Sequence, residues 1–193
     1  VESNTGFGAN ITGNTDDAAR ILIEAGYVTI SKKSTSPADK NVIKGSKGVV
    51  ALIANVKADE AINADGMYIN MGDGTTNASS SFENVKVYVN NALIDSFDPT
   101  GDSEINLDSS LNLVKGDNEI KVILDVKSNA HDGDKIRVKL VANSTGTPGY
   151  RLLDSPEYST TGNSVTSDRI SGSASGALIT VGGASFTAVR NDG

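Results

Sequence analysis

A chain of 193 residues can bury a substantial core in one domain, or in one domain with a partner strand or a short extension. It has no Cys, no Trp, a single His, 20 Gly and a formal net charge of −7. There is therefore no disulfide framework, thiolate metal site or cysteine nucleophile. The scattered basic residues form no phosphate-binding cluster, so nucleic acid is not an expected partner, and no apolar run approaches the roughly 18 to 20 residues of a membrane span.

The chain begins at Val1 with neither a Met nor a basic-then-apolar leader, and is expected to be a processed product or an excised piece. Residues 1–19 read as an N-terminal extension, either a linker or a donor strand. Residues 16–26 open on Asp16-Asp17 and close on Gly26, the end signals of a short helix, yet their apolar run also suits a strand, which is preferred. Tyr27-Val28-Thr29-Ile30-Ser31 is a strand. Residues 48–56 form a continuous apolar run, predicting a strand buried near the centre of a sandwich. A short strand follows over 67–71, and then a loop over 72–79. Val85-Lys86-Val87-Tyr88-Val89 and Ala92-Leu93-Ile94-Asp95-Ser96-Phe97 flank Asn90-Asn91; Asn tolerates positive φ, so a tight hairpin is expected.

Residues 106–114 read as one more strand, closed by a turn over 115–118. In residues 120–127 apolar side chains alternate with Lys121, Asp125 and Lys127, and Ile136, Val138 and Leu140 alternate with Arg137 and Lys139. The turn between these two strands makes either a hairpin or a corner between sheets. The Ser-, Thr- and Gly-rich residues 143–175 form a crossing connection, a linker or short irregular strands, with a strand expected around 164–170. The segment Ala177-Leu178-Ile179-Thr180-Val181 to Arg190 echoes residues 21–33, with Val28-Thr29 aligned on Phe186-Thr187 at an offset of 158 residues. Chance similarity of short β segments would produce the same echo. Strand spacing predicts an all-β sandwich with its core over 20–145, and residues 146–193 supply a connection and a terminal β segment that completes the sandwich, donates a strand or opens a further repeat.

This order of elements resembles the tandem Ig-like β-sandwich repeats of large bacterial surface proteins, including S-layer-like proteins of small-celled candidate-phylum bacteria. The residues that carry it are Val28-Thr29-Ile30-Ser31, Ser34-Thr35-Ser36-Pro37-Ala38, the run 49–56, Asp59-Glu60, Asn84 to Val89, and Val122-Ile123-Leu124-Asp125-Val126. The resemblance covers about residues 21–142 plus the restarting strand near 177–190. It implies an Ig-like antiparallel β-sandwich with extended terminal strands and a role in surface architecture, and it supplies no catalytic or ligand residues.

A Ser-His-Asp triad would have to use His131, which lies in the polar turn Ala130-His131-Asp132-Gly133-Asp134 and has no Gly-x-Ser-x-Gly elbow beside it. A solvated loop histidine is the simpler reading. The phosphate-loop pattern is absent, and sparse aromatics without Trp argue against a sugar-hydrolysing cleft, so the chain is not expected to be an enzyme. Asp73, Asp98, Asp102, Asp132 and Asp134 lie in Gly-rich acidic loops and are candidates for calcium, which takes about six to eight oxygens. They match no EF-hand pattern and are equally ordinary turn residues; no other cofactor is expected. The sequons at Asn10, Asn77 and Asn143 are expected by chance.

The function expected is that of a structural subunit or repeat of an extracellular surface layer or filament. Its partner would be itself, through edge strands completed by residues 1–15 or 177–189. The alternative is an adhesin or phage-fibre type module whose end loops bind a glycan or protein receptor.

Overall fold

A computed structural model describes residues 27–64, 68–71, 78–99, 105–106, 111–141, 152–153 and 170–182. In chain order its elements are β1 (Val28–Lys32), β2 (Lys40–Ile43), β3 (Val49–Ala58), β4 (Ile62–Ala64), β5 (Tyr68–Asn70), α1 (Ala78–Ser81), β6 (Phe82–Val89), β7 (Ala92–Phe97), β8 (Ile105–Asn106), β9 (Leu111–Leu113), β10 (Gly116–Val126), β11 (Lys135–Val141), β12 (Leu152–Leu153) and β13 (Ile170–Gly182). The strands follow one path, β7-β6-β10-β3-β1-β13-β11-β5-β8, with β2 also on β13; β12, β4 and β9 form a small separate sheet.

The path folds into two layers. One contains β1-β3-β10-β6 and the other β13-β11-β5, which are the A-B-E-D and G-F-C orders of an Ig-type sandwich. The chain is thus all-β, and among the described strands every pairing is antiparallel except those of β1 and β2 with β13.

The expected alternation builds the core. Ile120, Val122 and Leu124 of β10 and Ile136, Val138 and Leu140 of β11 are fully buried, each worth about 1.5–3 kcal/mol of transfer free energy. β10 and β11 stand in different layers, so the turn between them is the inter-sheet corner and not a hairpin. The run 49–56 behaves differently from its expectation of continuous burial. Val49 and Ala51 face inward, the phase then changes, and Leu52, Ala54 and Val56 face inward, leaving Val50 and Ile53 half-buried. The cause is a β-bulge: Val122 and Ile123 of β10 oppose Leu52 and Val50, so Ala51 is an extra residue on β3.

The strand expected over 106–114 sends its ends to different sheets, β8 onto β5 and β9 onto β4. Residues 78–79, expected in a loop, begin α1. The strand expected around 164–170 meets the described residues only at Ile170, where β13 starts. Ser171-Gly172-Ser173-Ala174-Ser175, composed like a linker, is strand. Of the terminal β segment, residues 177–182 lie within the chain's own sandwich. The expectations for residues 1–26 and 183–193 lie outside the described residues.

β13 passes between the layers. Its residues 170–172 pair with β1, and its remainder pairs with β11 and β2. At Gly172, φ is +82° and a Cβ would come within 2.1 Å of the Ile30 carbonyl oxygen. At Gly176 a Cβ would lie 2.3 Å from the Ala51 oxygen and 3.0 Å from the Val138 oxygen. Gly176 belongs to a second bulge, since Arg137 and Lys139 face Leu178 and Ser175. The bulges of β3 and β13 therefore meet backbone to backbone across the core, which no side chain could allow.

A buried amide fastens one pole. Asn118 has no solvent exposure. Its Oδ1 accepts the Val114 N–H and the Asn90 amide, each at 2.9 Å, and its Nδ2 donates to the carbonyls of Val114 (2.8 Å), Val56 (3.2 Å) and Gly116 (3.2 Å). Asn90 and Asn91 have φ of 48° and 69°, and form the expected tight turn between β6 and β7.

Gly172→Ala and Gly176→Ala are each expected to cost about 2–3 kcal/mol by overpacking, whereas Gly45→Ala, with positive φ but nothing within 4 Å of its Cβ position, should cost about 1 kcal/mol. Urea midpoints at unchanged m-value measure this, and equal costs at the three sites would refute the close passage. Asn118→Ala should cost about 3 kcal/mol in the same assay, because several buried backbone groups lose their partner together.

Candidate interaction site

Three of the acidic loop residues, Asp98, Asp132 and Asp134, have partners within the described structure. Asp98, exposed after β7, accepts the Asn84 N–H at 2.7 Å. Asp132 is exposed and pairs with Lys44 at 3.2 Å. Asp134 accepts the Ser81 hydroxyl of α1 and the His131 N–H (3.2 Å), while its backbone carbonyl accepts the Val181 N–H at 2.8 Å. Asp73 and Asp102 lie outside the described residues. Among the described residues no group of three or more His, Cys, Asp or Glu side chains converges as a metal site. His131 Nδ1 lies 3.7 Å from the Asp134 carboxylate, and that carboxylate stands between the histidine and Ser81. This is the wrong order for activating a serine, since the imidazole must touch the hydroxyl.

The electrostatic node that sequence reading missed is Asp125, 8% exposed at the end of β10. Its carboxylate accepts the Gly48 N–H (2.7 Å) and the Asn84 side-chain amide (2.9 Å), with Lys47 at 3.6 Å. Asn84 has φ of 56° and lies in a bulge of β6, because Ile123 and Asp125 face Lys86 and Glu83. One carboxylate thus joins the start of β3, the β6 bulge and β10. Burial alone would raise its pKa, but the Gly48 N–H, the Asn84 amide and Lys47 outweigh it and hold the carboxyl below its usual range. The only signal in the sequence was an Asp within an alternating strand, where it read as a solvated position.

Asp39, between β1 and β2, plays a similar part for β13. Its Oδ1 accepts the Leu178 N–H at 2.7 Å, and its other oxygen meets Arg137 at 3.3 Å. Arg137 also donates to the Gly176 carbonyl at 3.0 Å, so the pair spans the β13 bulge. The Leu178 N–H, opposed by some burial and helped by the Arg137 guanidinium, holds the Asp39 carboxyl below its usual range.

Surfaces open to a partner are the sheet edges, the outer face and the poles. β7 ends the first layer among the described strands, with Leu93 53% exposed. Its pairing slips at Ile94, since Val87 and Tyr88 face Asp95 and Leu93, so only a short stretch of this edge is regular. On the outer face, registry sets Leu93, Tyr88, Lys121 and Ile53 in one row and Ser96, Lys86, Ile123 and Val50 in the next. The Lys121 ammonium stands 5.5 Å over the Tyr88 ring. Because β1 and β13 run parallel, the chain reaches β1 at one pole, near exposed Tyr27 and Val114, and leaves β13 at the other, near exposed Ile43.

Comparison with known proteins adds structural neighbours only. No family model matches the sequence, and no curated protein does. Among solved structures, a Podospora anserina GH26-CBM35 β-(1,4)-mannanase is similar at 13% identity over 52% of this chain, with a TM-score of 0.34; this chain spans 26% of that one. A family 35 carbohydrate binding module from an environmental isolate is similar at 16% identity over 66% of this chain and 98% of its own, with a TM-score of 0.32. Among the described residues no helix is long and apolar enough to cross a membrane.

A carboxyl whose pKa is lowered by folding stabilises fully above its unfolded value of about 3.9, and the contribution disappears as pH falls through the folded value. Asp125→Asn should therefore be less stable than the parent at about pH 7, with the gap narrowing toward about pH 3. Urea midpoints across that range check it, and a gap independent of pH contradicts the assignment.

Proposed function

We propose that this chain is a non-enzymatic structural module of an extracellular surface layer or filament, joined to further copies of itself through edge strands and terminal segments. The observation that supports this is the placement of chain entry and exit at opposite poles, set by the parallel pairing of β1 with β13. Modules connected at such ends line up along one axis and do not fold back, as an open, head-to-tail assembly requires. The outer side of β7, unpaired among the described strands, and the poles at Tyr27, Val114 and Ile43 offer the contacts.

The test is assembly of truncated chains. Removing residues from 177 onward would delete Ala177, Ile179 and Val181 from the core, so the informative deletions are 1–15 and 183–193. Electron microscopy should find layers or fibres for the full chain, in millimolar calcium and in chelator, and reduced assembly for at least one truncation whose melting temperature is unchanged. If both truncations assemble like the full chain, exchange of terminal segments is wrong. A dispersed monomer that binds glycans saturably would replace this reading with receptor binding.

A further inference from the structure

We propose that the parallel pairing of β1 and β2 with β13 is a shear clamp, pinned by Asp39, that lets the sandwich carry tension along its long axis. The inference rests on the reading of the chain as one member of a connected assembly, since only such a module is pulled from both ends.

The geometry begins with direction. Val28, Thr29 and Ile30 of β1 register with Ile170, Ser171 and Gly172, and Lys40 to Ile43 of β2 register with residues 179–182, both in parallel. Tension arriving before β1 pulls that strand toward one pole, and tension leaving after β13 pulls the latter toward the other. The two strands are drawn past one another along their own axes. Hydrogen bonds between strands lie across this direction, so they share the load and must fail together; a hairpin pulled open from one end would lose them one at a time. The clamp is backed by the core on one face only: Val28, Ile30, Ile170, Ile179 and Val181 are buried, while Thr29, Ser171, Asn41 and Ile43 face solvent.

Neither β1 nor β2 covers the middle of β13, residues 173–178. Here the Asp39 carboxylate takes the place of a strand, accepting the Leu178 N–H and gripping Arg137, which in turn holds the Gly176 carbonyl. The connection carrying Asp39 is itself stitched to β3: the Ser36 hydroxyl accepts the Ile53 N–H at 3.0 Å, and the Lys33 N–H donates to the Ile53 carbonyl at 3.0 Å. Movement of β1 and β2 relative to β13 must therefore break the Asp39 contacts as well as both parallel ladders. At Gly172 the two backbones run so close that a Cβ would come within 2.1 Å of the Ile30 carbonyl oxygen, so no side chain holds the strands apart at this end of the clamp.

Single-molecule pulling of the full chain tests this, and the absence of native Cys lets engineered thiols serve as unique handles. One axis pulls through the two chain ends. The second pulls between the N-terminal end and Ser171→Cys, an exposed position at the pole where β1 starts, so that β1 is peeled from β13. Forced rupture reports the unfolding rate along the chosen axis. The end-to-end axis should need a severalfold higher force than the peeling axis. Asp39→Ala should lower the end-to-end force and leave the peeling force unchanged, with melting temperature showing that the variant folds. Equal forces on the two axes overturn the clamp, and an end-to-end force unaffected by Asp39→Ala overturns the pin. A chain that ruptures by shear yet never assembles keeps the clamp and sinks the surface-layer reading.

Discussion

The sandwich depends on the passage of β13 between its two layers, where the backbone at Gly172 meets the Ile30 carbonyl and the backbone at Gly176 meets that of Ala51. Sheets normally pack about 10 Å apart, with side chains filling the gap. At Gly176 two bulged strands approach more closely than that, and an alanine would already collide. Once β13 crosses here, it can pair with β1 at one end and with β2 and β11 at the other. The closed side of the sandwich and the separation of chain entry from chain exit follow from that single strand.

Irregular backbone is the cost of this arrangement, and polar side chains offset it. Bulges in β6 and β13 leave groups without regular ladder partners, and the tight poles do the same. Asp125 with Asn84 serves the β6 bulge, Asp39 with Arg137 serves the β13 bulge, and Asn118 serves the pole at Val56 and Val114. Asp98 and Asp134, which the sequence offered as calcium candidates, belong to the same economy of turn and bulge contacts. A carboxylate in a Gly-rich loop looks identical in sequence whether it faces an ion or its own backbone, because both uses need the same short side chain on the same flexible turn.

Most strands were legible because their alternation is local. β6, β10 and β11 show a period of two in the sequence and in burial, and Asn90-Asn91 announces its turn by tolerating positive φ. Other parts were hidden for identifiable reasons. The apolar run at β3 masked a change of facing that exists only because β10 skips Ala51. Ser171 to Ser175 looked like a linker, since small residues have poor strand propensity. β2, with its Lys-Asn-Val-Ile sequence, is too short to stand out and is a strand because β13 lies beside it.

The sequence by itself determined the all-β class, the positions of the strongly alternating strands and the want of cysteine chemistry, because periodicity and composition are properties of neighbouring residues. Only the tertiary structure decided which strands share a layer, that β1 and β2 run parallel to β13, and that Asp39, Asn118 and Asp125 are the side chains that hold irregular backbone in place. Those outcomes join residues up to 142 positions apart, as at Thr29 and Ser171. No local pattern encodes such a distance, and closure of the sandwich supplies it by bringing the last described strand against the first.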